Sequence, residues 1–181
     1  GLIGISTSRI NTYSDVHIGQ NTGLSNPTVL CLYEDRHSGD IWIGTDGEGL
    51  NRFDPDVNSF RHYRTTLRTK VVSIASYSES ELIISIYGDR IWIFDKNTGK
   101  LRPLKMHDAD LDYQIKYAGR GINVLNEADG TILIVSNTIK RYDRISGKCT
   151  VVGIDLGGKA RGNFLHIGYS DNGIWLHDYK R

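Results

Sequence analysis

Gly39-Asp40-Ile41-Trp42-Ile43-Gly44-Thr45, followed by Leu50-Asn51-Arg52-Phe53-Asp54, is the stretch that decides the fold. Apolar and polar residues alternate along it, and turn residues bound each run, which is the pattern of two short strands. Displacing it by 41 residues sets Asp40 on Glu81, Ile41 on Leu82, Trp42 on Ile83 and Ile43 on Ile84. Without a gap, the same shift sets Leu50 on Ile91, Phe53 on Phe94 and Asp54 on Asp95. A third copy runs Gly130-Thr131-Ile132-Leu133-Ile134-Val135, then Ile139-Lys140-Arg141-Tyr142-Asp143, with a shorter loop between its strands. Incomplete copies open the chain (Leu2–Thr7, Ile10–Tyr13) and close it (Phe164–Asp171, Gly173–Leu176).

Three copies share a further feature. Asp54 leads through Asn58 into Ser59–Tyr63, Asp95 through Gly99 into Lys100–Arg102, and Asp143 through Gly147 into Lys148–Val151. An Asp side chain can accept bonds from backbone N–H groups ahead of it, and Gly or Asn tolerates the left-handed conformation that ends such a turn. The unit is therefore four strands, such as Val29–Tyr33, Ile41–Thr45, Leu50–Phe53 and Phe60–Tyr63. Four antiparallel strands every roughly 40–50 residues is the signature of a β-propeller blade. Each blade buries its faces on its neighbours, so one blade alone could not fold. The predicted fold is all-β: a partial blade over 1–22, blades over 23–63, 64–104 and 105–152, and a partial blade over 153–181. A β-sandwich would not repeat one four-strand text, and a parallel β-helix would have a shorter period. The nearest helical candidate, Asp108 to Tyr117, reads as a long loop or a short helical turn.

The 181 residues are 39% hydrophobic and 24% charged, with 20 Gly and 10 Tyr, which suits a globular all-β chain. A net charge of +1 gives no electrostatic reason to expect nucleic acid or an anionic membrane as partner. No apolar stretch approaches the roughly 20 residues that span a bilayer, so this segment is expected to make no direct membrane contact. Cys31 and Cys149 fall in different repeats at different positions and read as separate thiols. The opening Gly1–Ser8 has no basic leader region and reads as the middle of a strand, so the expectation is an excised piece of a longer chain with an incomplete ring. Its exposed edge strands would then take partners from missing sequence or from a second copy.

With the repeat in hand, Val29-Leu30-Cys31-Leu32-Tyr33-Glu34-Asp35, then Gly39–Thr45, then Gly49–Asp54 resembles the two-component regulator propeller repeat, and Gly23-Leu24-Ser25-Asn26 resembles the linker that enters it. The resemblance is strong over 23–63 and weaker, but in register, over 71–104, 121–152 and 164–178. The signature residues Asp35, Gly39, Trp42, Gly44 and Thr45 read as structural. Trp42 fills the gap between blades, Gly44 permits close approach of a neighbouring backbone, and Asp35 with Gly39 shapes the first hairpin. Trp175 occupies the Trp42 position in the last copy. The resemblance implies the periplasmic region of a Bacteroides-type hybrid two-component sensor, which recognises polysaccharide breakdown products and signals through a membrane helix to a histidine kinase.

No catalytic constellation stands out. His17, His37, His62, His107, His166 and His177 lack metal-ligand spacing, so no metal and no cofactor are expected. There is no nucleophile elbow and no phosphate-binding loop. Asp108, Asp110 and Asp112 alternate as in a calcium loop, but the Gly and distant Glu of that motif are missing. Propellers bind ligands at the channel face that carries the loops between second and third strands and between blades. Sugar recognition there needs aromatic faces with charged or amide groups. On that ground Tyr87, Asp89, Arg90, Arg120 and Arg161 are the candidate ligand residues. The expected function is a non-catalytic sensor segment responding to oligosaccharides. A carbohydrate-active lyase or glycosidase would need two carboxylates or a Tyr/His pair converging in the funnel. A WD40-type interaction propeller would carry Trp-Asp at strand ends, which is absent.

Overall fold

The computed structural model describes residues 2–5, 10–13, 22–65, 70–107, 122–127, 129–136, 139–152, 164–170 and 173–178. The described residues form strands and turns. Strands β1 (Leu2–Ile5) and β2 (Ile10–Tyr13) pair with each other. Strands β3 (Val29–Glu34), β4 (Ile41–Thr45), β5 (Leu50–Asp54) and β6 (Ser59–Tyr63) make one sheet in that order. Strands β7 (Val71–Ser76), β8 (Glu81–Ile86), β9 (Ile91–Asp95) and β10 (Leu101–Pro103) make a second. Strands β11 (Asn123–Asn126), β12 (Ile132–Val135), β13 (Ile139–Tyr142) and β14 (Cys149–Val151) make a third. Strands β15 (Phe164–Ser170) and β16 (Gly173–Asp178) form a last pair. Every pairing is antiparallel between consecutive strands, so each sheet is a meander. The 41-residue repeat survives in register: Ile41 faces Phe53 as Leu82 faces Phe94.

The third hairpin of each full sheet forms as its text demands. Asp54, Asp95 and Asp143 each accept two backbone N–H bonds from the residues two and three ahead. Asn58, Gly99 and Gly147 sit at φ of 52°, 70° and 68°, the region where Gly and Asn are least penalised. Asp129 acts in a similar way in the hairpin between β11 and β12, accepting from Thr131 N–H at 2.9 Å.

Among the described residues the two largest apolar clusters straddle sheet boundaries, while a smaller one of Leu133, Val135 and Ile139 lies within the third sheet. Trp42, Leu50 and Tyr63 of one sheet pack with Ile74, Leu82, Ile84 and Phe94 of the next. Ala75, Ile83, Ile91 and Ile93 pack with Ile122, Val124, Ile132, Ile134 and Tyr142. Tyr13 packs its ring on Phe53 and Phe60 at 5.1 and 5.4 Å, joining β2 to the sheet that follows. A sheet whose two faces are both apolar gains its stability only when neighbours cover them.

Trp42 is 1% exposed, with Tyr63 at 5.7 Å and Phe94 of the next sheet edge-on at 5.5 Å. A side-chain carbon added to Gly44 would lie 2.4 Å from the Val71 carbonyl and 2.5 Å from Cys31 Sγ, so only glycine admits the neighbouring sheet this closely. Cys31 and Cys149 form no disulfide. Burial pushes the Cys31 thiol up to about 12, which makes it an inert wedge. The segment from Asp108 to Tyr117 lies outside the described residues.

Candidate functional site

The first strands of the three full sheets, β3, β7 and β11, lie beside one another. Each ends in the same way. Asp35 N–H donates to the Asp40 carbonyl at 2.8 Å, Tyr77 to Glu81 at 2.9 Å and Glu127 to Thr131 at 2.9 Å. These bonds align Asp35, Tyr77 and Glu127, and before them Glu34, Ser76 and Asn126. At this end the three strands enclose a cavity of about 880 Å³. Its floor is apolar: Leu32, Ile74, Ala75, Val124 and Leu125. Its rim is polar: Glu34, Asp35, Arg36, His37, Ser76, Ser78, Glu79, Asn126 and Glu127, with the Tyr33 ring beside them. That size and that mixture fit a small polar ligand with apolar patches.

The rim is partly locked from within. Lys96, in the last hairpin of the second sheet, reaches back to Asp35 at 2.6 Å, and both side chains are largely buried. Burial alone would raise the Asp35 pKa. The Lys96 ammonium and the N–H groups of His37 and Ser38 outweigh it and hold the carboxyl below its ordinary range. Arg144, one repeat later, donates to the Tyr77 carbonyl in the same relation. Arg141 grips Glu127 through two bonds of 2.6 and 2.9 Å, which lowers the Glu127 pKa. Burial raises the Tyr33 phenol, whose hydroxyl also meets the Ser76 side chain. Glu34, Arg36 and Glu79 form no ion pair among the described residues, so they are the charged groups left free to meet a ligand. Among the described residues no group of three or more His, Cys, Asp or Glu could hold a metal ion. No helix there is long and apolar enough to cross a membrane.

Tyr87, Asp89 and Arg90 come together in the turn between β8 and β9. Asp89 is occupied in making that turn. Its N–H donates to the Ile86 carbonyl at 3.0 Å, and its carboxylate accepts from Arg90 N–H at 2.8 Å. Tyr87 is 42% exposed. This turn sits at the opposite end of the strands from the cavity, a strand length of roughly 15–20 Å away. Arg120 and Arg161 lie outside the described residues, as do Asn137 and Thr138 of the corresponding turn. Of the cavity residues, sequence marks Asp35 and gives it a structural role; the others sit on inner strands and first hairpins, at the end opposite the loops between second and third strands. One signal was present: Glu34-Asp35 and Asn126-Glu127 put polar pairs at the same register, where inner strands end.

Antiparallel four-stranded sheets stacked face to face through their first strands occur in solved propellers. This chain is a run of β-propeller blades. The propeller is similar to the extracellular domain of BT3049 from Bacteroides thetaiotaomicron, assigned as a hybrid two component system, with TM-score 0.68 at 15% identity. The alignment covers 95% of this chain and 22% of that one. It is also similar to the extracellular domain of BT4673 from the same organism, likewise assigned (TM-score 0.66, 20% identity, 96% and 24% coverage). The WD40 β-propeller domain of Doa1 matches at TM-score 0.61 and 12% identity, over 87% of this chain and 50% of that domain. The propeller thus spans about a quarter of the two Bacteroides domains. No family model matches the chain, and no curated protein matches it.

Proposed function

We propose that this propeller segment is a non-catalytic, ligand-binding portion of an extracytoplasmic sensor in a two-component regulator, and that its ligands are oligosaccharides. The observation that carries the reading is the cavity at the ends of β3, β7 and β11. It combines an apolar floor, the Tyr33 ring and the free charged groups of Glu34, Arg36 and Glu79. Sugars present apolar ring faces edged by hydroxyls, so they need this pairing of apolar surface with charged hydrogen-bonding groups. The shared fold with extracellular domains of Bacteroides two component systems supports the sensor role. A periplasmic setting and a histidine kinase output belong to the same proposal. Tyr87 and Arg90 at the far end of the channel are the alternative ligand contacts.

The test is isothermal calorimetry of the 181-residue chain against a library of defined oligosaccharides. Binding of at least one glycan, without its cleavage, is expected. Silence across the library would overturn the oligosaccharide reading, and glycan hydrolysis would overturn the non-catalytic one.

A further inference from the structure

Asn126 and Ser76 grip each other across a blade boundary. Ser76 N–H donates to Asn126 Oδ1 at 2.9 Å, and Asn126 Nδ2 donates to the Ser76 carbonyl at 2.7 Å. One carboxamide thus saturates both backbone groups that Ser76 turns away from its own sheet. They turn away because of ladder parity: in an antiparallel pair, residues that exchange both hydrogen bonds alternate with residues that exchange neither. Tyr77 bonds to Glu81, so Ser76, opposite Leu82, presents its N–H and C=O outward.

Strand β3 has the same parity. Asp35 bonds to Asp40, so Glu34, opposite Ile41, also turns its N–H and C=O away from its sheet, at the wall of the cavity. In the blade that follows, the residue at the Asn126 position is Ser76. Its side chain is too short to repeat the grip. Its Oγ instead donates to the Ser78 carbonyl at 3.4 Å and meets the Tyr33 hydroxyl. Among the described residues no side chain bonds the Glu34 backbone pair. Among the described residues a side chain thus fills the Ser76 pair and none fills the Glu34 pair.

We propose that the open N–H and C=O of Glu34 form a recognition point for two hydroxyls on adjacent carbons of a sugar ring. One hydroxyl donates to the carbonyl and its neighbour accepts from the N–H. This inference rests on the oligosaccharide reading above and adds a contact to it. The carboxamide on Ser76 shows what such a pair selects: a donor and an acceptor side by side. The adjacent hydroxyls of a pyranose are the glycan group with that arrangement. Tyr33, Arg36 and Glu79 stand around the point to hold the rest of the ring.

The decisive variant is Ser76→Asn, which supplies at Glu34 the carboxamide that Asn126 supplies at Ser76. Ser76→Ala is its control. The probe is a panel of neutral disaccharides with free adjacent hydroxyls, added to the 181-residue chain, with amide hydrogen exchange read by NMR. A binding disaccharide should slow exchange of the Glu34 amide at least tenfold. Ser76→Asn should weaken that binding at least tenfold and protect the Glu34 amide without sugar, whereas Ser76→Ala without sugar should leave the Glu34 amide exchanging as in the parent. A disaccharide that binds the parent chain without protecting Glu34 would overturn the contact and leave the oligosaccharide reading standing; so would equal binding to Ser76→Asn. If neither a disaccharide nor any longer glycan of the library binds the parent chain, the reading itself falls and takes the contact with it. The Glu34 measurement on the parent chain decides the matter even if Ser76→Asn does not fold.

Discussion

The ammonium of Lys96 lies 2.6 Å from the Asp35 carboxylate, across the boundary between two blades and beside the cavity rim. Asp35 also accepts His37 N–H at 3.1 Å and, through its carbonyl, Gly39 N–H at 2.7 Å. One carboxylate therefore shapes the first hairpin of its own blade and anchors the next blade to it. Lys96→Ala would leave that carboxylate buried without a counter-charge, which costs about 3 kcal/mol. Chemical denaturation should show the unfolding free energy lowered by that amount. A variant as stable as the parent would mean that the pair contributes nothing net.

The same carboxylate sets an acid limit. Asp35 and Glu127 both have folded pKa values held below their ordinary 3.8 and 4.5. A lowered folded pKa means stabilisation that is complete above the unfolded value and lost as pH falls through the folded one. Stability should thus be level above about pH 5 and decline below about pH 4 as the two groups protonate. Thermal melts in a pH series check this, and in Lys96→Ala the decline should be shallower because Asp35 gains less from ionising.

Gly44→Ala should be among the most damaging small substitutions. The added carbon would meet the Val71 carbonyl, Cys31 Sγ and Val71 Cγ1 at 2.4, 2.5 and 2.9 Å. The carbonyl cannot yield without shifting β7, so a loss of about 3 kcal/mol is expected. Circular dichroism melts of this variant, compared with Gly39→Ala, measure it. Gly39 has open space around its α-carbon, and its cost is confined to its φ of 77°.

The two ends of the channel can be separated by mutation. Glu79→Ala and Tyr87→Ala both remove exposed side chains, so neither should shift stability by more than about 0.5 kcal/mol. Binding in the cavity predicts that Glu79→Ala lowers glycan affinity several-fold and that Tyr87→Ala does not. Calorimetry on both variants reads the outcome, and the reverse pattern would move the site to the β8–β9 turn.

Leu30 and Leu32 of β3 are 40% and 52% exposed, whereas Ile74 and Val124, at the Leu32 position in the next two blades, are 7% and 0%. The difference is that β3 covers Ile74 and β7 covers Val124. The 181-residue chain is expected to self-associate through this uncovered face. Light scattering should show a concentration-dependent mass that Leu30→Ser with Leu32→Ser returns to the monomer.

Much of the fold was legible because its determinants are local. Period-2 alternation, Asp-to-Gly spacing and the 41-residue register each act within one hairpin, and a linear text records them. The large ring at Trp42 and the absent side chain at Gly44 also announced close packing between blades. What packs there was not readable: that Phe94 meets Trp42, that Val71 fills the space at Gly44, and that Lys96 belongs to Asp35 sixty-one residues away. In sequence, Lys96 is only the second residue of a turn.

The candidate site shows the same division. The polar ends of the inner strands, Glu34-Asp35, Ser76-Tyr77 and Asn126-Glu127, are each a pair of neighbours in the chain. Only the stacking of three blades turned those ends toward one another and made a cavity of them. Ladder parity fixed that Glu34 turns its backbone outward, and blade spacing fixed that Asn126 can cross the boundary where Ser76 cannot. The sequence by itself determined the blades, because strand, turn and repeat are set by neighbours along the chain. The tertiary structure alone decided which of these backbone groups a side chain fills, because that depends on the distance between residues 50 positions apart in the chain.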